Sequence, residues 1–169
     1  MRHPIPVLLC FGGALALAGC NNSGNDVQRA VASVNVVDES NLNDIMLTVG
    51  DPEEAVSYFQ RATAEKPDRI DLQRGLAKSL VRAKRTTEAV ATWTAITARP
   101  DSTLDDRVSL ADALIRANDW KRAEATLNAI PPTHETYERY RLEAMVADAK
   151  KNWKKADSFY EIAAGLTTT

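Results

Sequence analysis

Thiol and imidazole groups are scarce in this 169-residue chain, which holds two cysteines, Cys10 and Cys20, and two histidines. Both cysteines fall within the first twenty residues, so no disulfide can staple the rest of the chain and no cysteine-rich metal site can form there. His134 follows Pro131, Pro132 and Thr133. One imidazole without a cysteine partner does not make an ordinary zinc site. It reads as a solvated or helix-capping residue, with a pH-switch role as the other reading. The sequence has no nucleophile-elbow serine motif, no phosphate-binding P-loop and no His-Glu-x-x-His pair. Its carboxylates are spread out as solvated surface charge. These residues predict no enzyme, no catalytic residue, no metal, no cofactor and no small-molecule substrate, and the net charge of −2 gives no overall pull toward nucleic acid. Two features remain with chemistry to offer: the Cys20 thiol, and a row of cations at Arg74, Lys78 and Arg82.

The setting of Cys20 explains its presence. Arg2 supplies a positive start, and Val7 to Ala18 is an apolar run of signal-peptide length, too short to serve comfortably as a final membrane span. It ends Leu17-Ala18-Gly19-Cys20 and turns at once into Asn21, Asn22, Ser23 and Gly24. All four positions resemble the lipobox of bacterial lipoproteins. The resemblance implies cleavage before Cys20, a diacylglycerol on its thiol and an acyl chain on its new amino group. One acyl chain binds a membrane only reversibly, each buried CH₂ contributing about 0.8 kcal/mol, whereas three chains on one residue hold a domain without a spanning helix. Asn21 rather than Asp after the lipidated residue leans, by the same resemblance, toward the outer membrane. The expected organisation is a signal peptide over 1–19, a lipidated polar tether over 20–35 and a folded domain over 36–169. Val27 to Val37 carries some apolar residues that suit a short helix or a strand equally.

The elements behind this anchor are written by a repeat. Seven glycines and seven prolines beside abundant alanine favour helix over sheet. Four segments align, EEAVSYFQRATAEKP, TEAVATWTAITARPD, KRAEATLNAIPPTHE and KKADSFYEIAAGLTT, each with an alanine and a large residue four places on. The pairs are Ala55/Phe59, Ala89/Trp93, Ala123/Leu127 and Ala156/Tyr160, so the period is 34, 34 and 33 residues. Small residues let two helices approach, the large residue fills the gap beside them, and positions three and four apart share a face. Asp51-Pro52 predicts a helix start with acids Glu53 and Glu54 in its first turn, and Asn118-Asp119 and Asn152 predict later caps. The pattern resembles the tetratricopeptide repeat. That resemblance implies an all-α solenoid of four helix-turn-helix units, over 36–69, 70–103, 104–136 and 137–169. The first helix of the first unit matches weakly, and the seventh place of the fourth unit is Glu143 where the pattern expects leucine. Trp93, Trp120 and Trp153 occupy repeat positions that predict core packing rather than ligand stacking.

In such a stack the concave groove is lined by the first helix of each unit. Arg74, Lys78 and Arg82 then form a basic row at i, i+4 and i+8, which Arg116 and Arg141 extend. Such a row suits an acidic segment or a terminal carboxylate of an extended peptide. A solvated face laced with charge pairs is the other reading. Arg74 and Lys78 partly resemble carboxylate-clamp repeats, but Asp44 and Asp112 stand at the ninth places where those clamps carry asparagine.

A narrower resemblance covers most of the chain from about Asp38. YFQRATAEKPDRIDLQRGLAKSLVRA, DRVSLADALIRANDW and PPTHETYERYRLEAMVADAKKNWKKADSFYEIAAGL are similar to the TadD-type lipoproteins of tight-adherence (Flp) pilus assembly. This implies a non-catalytic, pilotin-like scaffold on the periplasmic face of the outer membrane, with a secretin or other pilus-assembly subunit as partner. A lipoprotein adaptor that recruits cell-wall hydrolases or synthases is the alternative. The chain ends directly after the fourth second helix, which predicts an open apolar end face, left by truncation or covered by a partner.

Overall fold

Residues 39–167 are described by a computed structural model of the chain. The expected signal peptide and tether, with Cys20 and the lipobox-like Leu17-Ala18-Gly19, lie outside the described residues. Among the described residues eight helices run in order: α1 (39–48), α2 (Pro52–Glu65), α3 (Ile70–Arg82), α4 (Thr86–Thr97), α5 (Leu104–Arg116), α6 (Trp120–Asn128), α7 (Tyr137–Ala149) and α8 (Trp153–Leu166). They pair as α1/α2, α3/α4, α5/α6 and α7/α8, and among the described residues no strand occurs.

Local chemistry sets these boundaries. Asp51 caps α2, its Oδ1 accepting from the amides of Glu53 at 2.9 Å and Glu54 at 3.1 Å, with Pro52 opening the helix. Asp119 caps α6 through the Arg122 amide and Asn152 caps α8 through the Lys155 amide. The turns inside the second, third and fourth units share one device. Lys84, Asn118 and Lys151 take φ of 59°, 60° and 60°, and the amide of the next residue reaches back at 2.9 Å to the carbonyl of Leu80, Leu114 or Ala147 respectively. This left-handed closure satisfies carbonyls that a helix end leaves unpaired. Gly50, the corresponding residue of the first turn, does not adopt a positive φ.

The repeated alanines Ala55, Ala89, Ala123 and Ala156 are all buried. Phe59, Trp93 and Leu127 fill the space beside them. At Gly75 the approach is so tight that a β-carbon would overlap the Phe59 ring, which explains a glycine in mid-helix despite its cost of about 1 kcal/mol. One apolar cluster runs from Val56 on α2 to Val146 on α7.

The junctions between units are not equivalent. The linkers lengthen along the chain, over 66–69, 98–103 and 129–136, and α6 is the shortest of the full helices with nine residues. α6 therefore meets α7 over fewer residues than α4 meets α5.

Candidate protein-binding groove

All four first helices converge on one cleft of about 570 Å³. Asp44, Leu47 and Thr48 come from α1, Lys78, Val81 and Arg82 from α3, Val108, Ser109, Asp112 and Arg116 from α5, and Glu138, Arg141 and Leu142 from α7. Trp93 reaches it from α4. The lining alternates apolar patches with charges of both signs.

The cations expected to form the row part company here. Arg74 does not line the cleft. Its guanidinium turns along the stack and grips Asp106 in a bidentate pair, Nε to Oδ1 and Nη2 to Oδ2, both at 2.7 Å. Arg82 donates at 2.7 Å to the carbonyl oxygens of Met46 and Gly50, so it closes the carboxyl end of α1 with a favourable charge. Arg116 pairs with Asp112 at 2.6 Å on its own helix, and Arg141 reaches the same carboxylate from α7 at 3.4 Å. Lys78 alone among the five has no ion pair or hydrogen bond to the described residues, and it is exposed. The row is thus one free ammonium beside four paired arginines, of which Arg74, Arg82 and Arg141 reach across units and Arg116 pairs within α5. Of the acids in the cleft, Asp112 is neutralised by two arginines, while the Asp44 and Glu138 side chains have no such pair among the described residues.

Asp106 is the residue the sequence reading missed. It is buried, donates its amide to Thr103 Oγ1, accepts from the Thr103 amide at 2.8 Å and holds Arg74. Burial pushes its carboxyl up, but the Arg74 hydrogen bond, the Thr103 amide and the Arg74 charge outweigh that, and the group stays below the ordinary carboxylate range. The Thr-x-x-Asp spacing was a visible capping signal; the pairing with a residue 32 positions earlier was not. Arg139 was missed likewise. It is buried at the start of α7 and donates to Glu143 at 2.9 Å and to the carbonyls of Pro131 at 2.8 Å and His134 at 3.1 Å.

A second cleft, of about 420 Å³, opens between α6, α7 and α8 beside Leu127, Tyr140, Val146 and Phe159. Lys150 spans it to Glu124 at 2.7 Å, and Lys155 stands 5.3 Å over the Phe159 ring. His134 lies apart from both clefts, with Nε2 2.9 Å from Asp105 Oδ1 but without the alignment of a hydrogen bond. The tryptophans divide: Trp93 is buried, Trp120 packs half-buried against the core, and Trp153 is 59% exposed, contrary to the expected core role. Trp153 opens α8, and no further helix packs over it among the described residues. Among those residues no group of histidine, cysteine and acidic side chains gathers as metal ligands, and no helix is long and apolar enough to cross a membrane.

The tetratricopeptide repeat family profile matches residues 46–103. A search of the curated proteins finds no match. Among solved structures, the chain titled "MamA MSR-1 C2" superposes with a TM-score of 0.60 at 17% identity, over 75% of this chain and 74% of that one. At that identity the likeness is one of fold. The chain is an all-α solenoid of tetratricopeptide units, a fold that offers surfaces to other proteins.

Proposed function

We propose that this protein is a non-catalytic scaffold that binds an extended segment of a partner protein in the cleft shared by α1, α3, α5 and α7. The observation that carries the reading is the convergence of all four first helices on that cleft, with Lys78 exposed and uncommitted beside Val81, Val108 and Leu142. An acidic group of the segment meets Lys78, and apolar side chains settle on the patches beside it. The arginines around it keep the wall in place, so binding does not wait for the groove to order.

The anchor and the machine are proposed on the sequence. Lipidation at Cys20 tethers the domain to the periplasmic face of the outer membrane. There it assists assembly or localisation of a Flp pilus secretion complex, with a secretin or another pilus-assembly subunit as the bound protein. Recovery of the full lipoprotein from cell envelopes in mild detergent, with mass spectrometry of what accompanies it, tests both parts. The expected result is a secretin subunit with the native protein and release of Cys20→Ala from the envelope fraction. Cell-wall hydrolases or synthases without secretin would replace the pilus reading with the adaptor one, and an envelope-bound Cys20→Ala would remove the anchor.

A further inference from the structure

Corresponding depressions open at two successive junctions, and their walls differ in kind. One lies between α4, α5 and α6, at about 470 Å³; the other lies between α6, α7 and α8, at about 420 Å³. At the repeat spacing of 33 residues, the earlier presents Arg107, Thr126 and Ala129 where the later presents Tyr140, Phe159 and Ile162. Lys155, Phe159 and Ile162 stand at i, i+4 and i+7 and share one stripe of α8. The Tyr140 and Phe159 rings meet at 6.0 Å, and Leu127 and Val146 extend the apolar wall.

The charges change as well. In the earlier depression Arg122 pairs with Asp119 at 3.3 Å. Their counterparts are Lys155 and Asn152, and an amide does not neutralise an ammonium. Lys155 stands over the Phe159 ring and has no carboxylate partner among the described residues. Asp106, with both oxygens held by Arg74, has Arg139 as its counterpart. The Arg139 side chain is only 9% exposed and borders the cleft. Its Nε donates to Glu143 and its Nη1 to the carbonyls of Pro131 and His134, while Nη2 has no acceptor among the described residues. A donor so placed gains from an acceptor that arrives with a ligand. Arg139, Lys150 and Lys155 against Glu124 and Glu143 leave one positive charge in excess. That suits a carboxylate better than a phosphate group with nearly two negative charges.

We infer that this cleft binds a carboxylate carried on an apolar body. The carboxylate answers Lys155 and Nη2 of Arg139, and the apolar part rests on Tyr140, Phe159 and Leu127. The volume is at the small end of ligand pockets and suits one such group. The terminal residue of a polypeptide and a free aromatic or aliphatic acid both have this chemistry. The site shares no residue with the cleft of the first helices and does not depend on what that cleft binds.

Calorimetric titration of the full chain in non-ionic detergent tests this with four probes. They are a glycine-serine hexapeptide ending in phenylalanine, as free acid and as amide, and 3-phenylpropionate beside neutral 3-phenylpropanol. An acid is expected to bind at least about tenfold tighter than its neutral counterpart. Tighter binding of the peptide acid would identify a polypeptide end as the source, and binding of 3-phenylpropionate at equal or higher affinity a free acid. Lys155→Glu and Phe159→Thr, the latter copying Thr126, should each weaken the acid by about tenfold or more with unchanged helicity. Arg139→Gln should weaken it further, but Arg139 also holds the linker, so exposed Lys155 carries the decision and Phe159→Thr replaces it if helix is lost. Equal affinity for acids and neutral counterparts would overturn the inference, as would no binding of either acid. So would full affinity in Lys155→Glu, or a loss caused by Lys78→Glu instead, which would place the acid in the other cleft.

Discussion

The junction between the second and third units and the junction between the third and fourth are built from the same repeat, yet they are held in different ways. At the first, buried Trp93 fills the gap and a bidentate Arg74–Asp106 pair locks α3 to α5, with Asp106 almost wholly buried. At the second, α6 is short, the linker is long, and a cleft of about 420 Å³ remains. Arg139 there ties the linker's carbonyls to α7, and the exposed Lys150–Glu124 pair bridges the open side. Apolar packing alone can join tetratricopeptide units, so the difference lies in the polar device added to it: a helix-to-helix guanidinium–carboxylate pair at the first junction, and an arginine that ties the linker to α7 at the second. A groove that must present Lys78 at a fixed place benefits from a wall that does not breathe.

The largest expected effect comes from breaking the first junction. Arg74→Ala leaves the Asp106 carboxylate buried without its partner, a loss of about 3 kcal/mol, which thermal or urea unfolding will measure. The same pair makes stability depend on pH. The folded state holds Asp106 below the ordinary carboxylate value. Its contribution is therefore whole above about pH 4 and is lost as pH falls from there through the folded value. Asp106→Asn should accordingly lose less stability than the native chain between about pH 7 and pH 3. A fall of the same size in both would assign the acid sensitivity elsewhere. The smaller effect belongs to the second junction. Lys150→Ala removes a solvent-exposed pair and should cost at most about 0.5 kcal/mol. A loss as large as that of Arg74→Ala would erase the contrast between the two junctions.

Much of this architecture was written locally. Ala55, Ala89, Ala123 and Ala156 announced the period because small residues are needed wherever two helices touch. Asp51-Pro52, Asp119 and Asn152 announced helix starts because capping uses the residue's own neighbours. The groove was legible as a set of helix faces but not as a charge distribution. Arg74 could equally have faced solvent; Asp106, two helices away, decides that it does not. Arg82 is spent on the carbonyls of α1, a demand that no side-chain pattern advertises. Trp120 and Trp153 occupy equivalent positions and differ in burial because only one has a following unit over it among the described residues. Repetition in sequence foretells equal environments only in the interior of a stack.

The central claim, that partner binding occurs in the cleft of the first helices with Lys78 as its free cation, is tested most directly by one comparison. The affinity of the native chain for its co-purifying partner should be set against that of Lys78→Glu, with circular dichroism as the control for folding. Lys78 touches no other described side chain by hydrogen bond or ion pair, so its reversal leaves the stack intact. The account predicts unchanged helicity and binding weaker by about tenfold, or roughly 1.4 kcal/mol. Equal affinity with equal helicity would contradict it and move the binding surface away from this cleft.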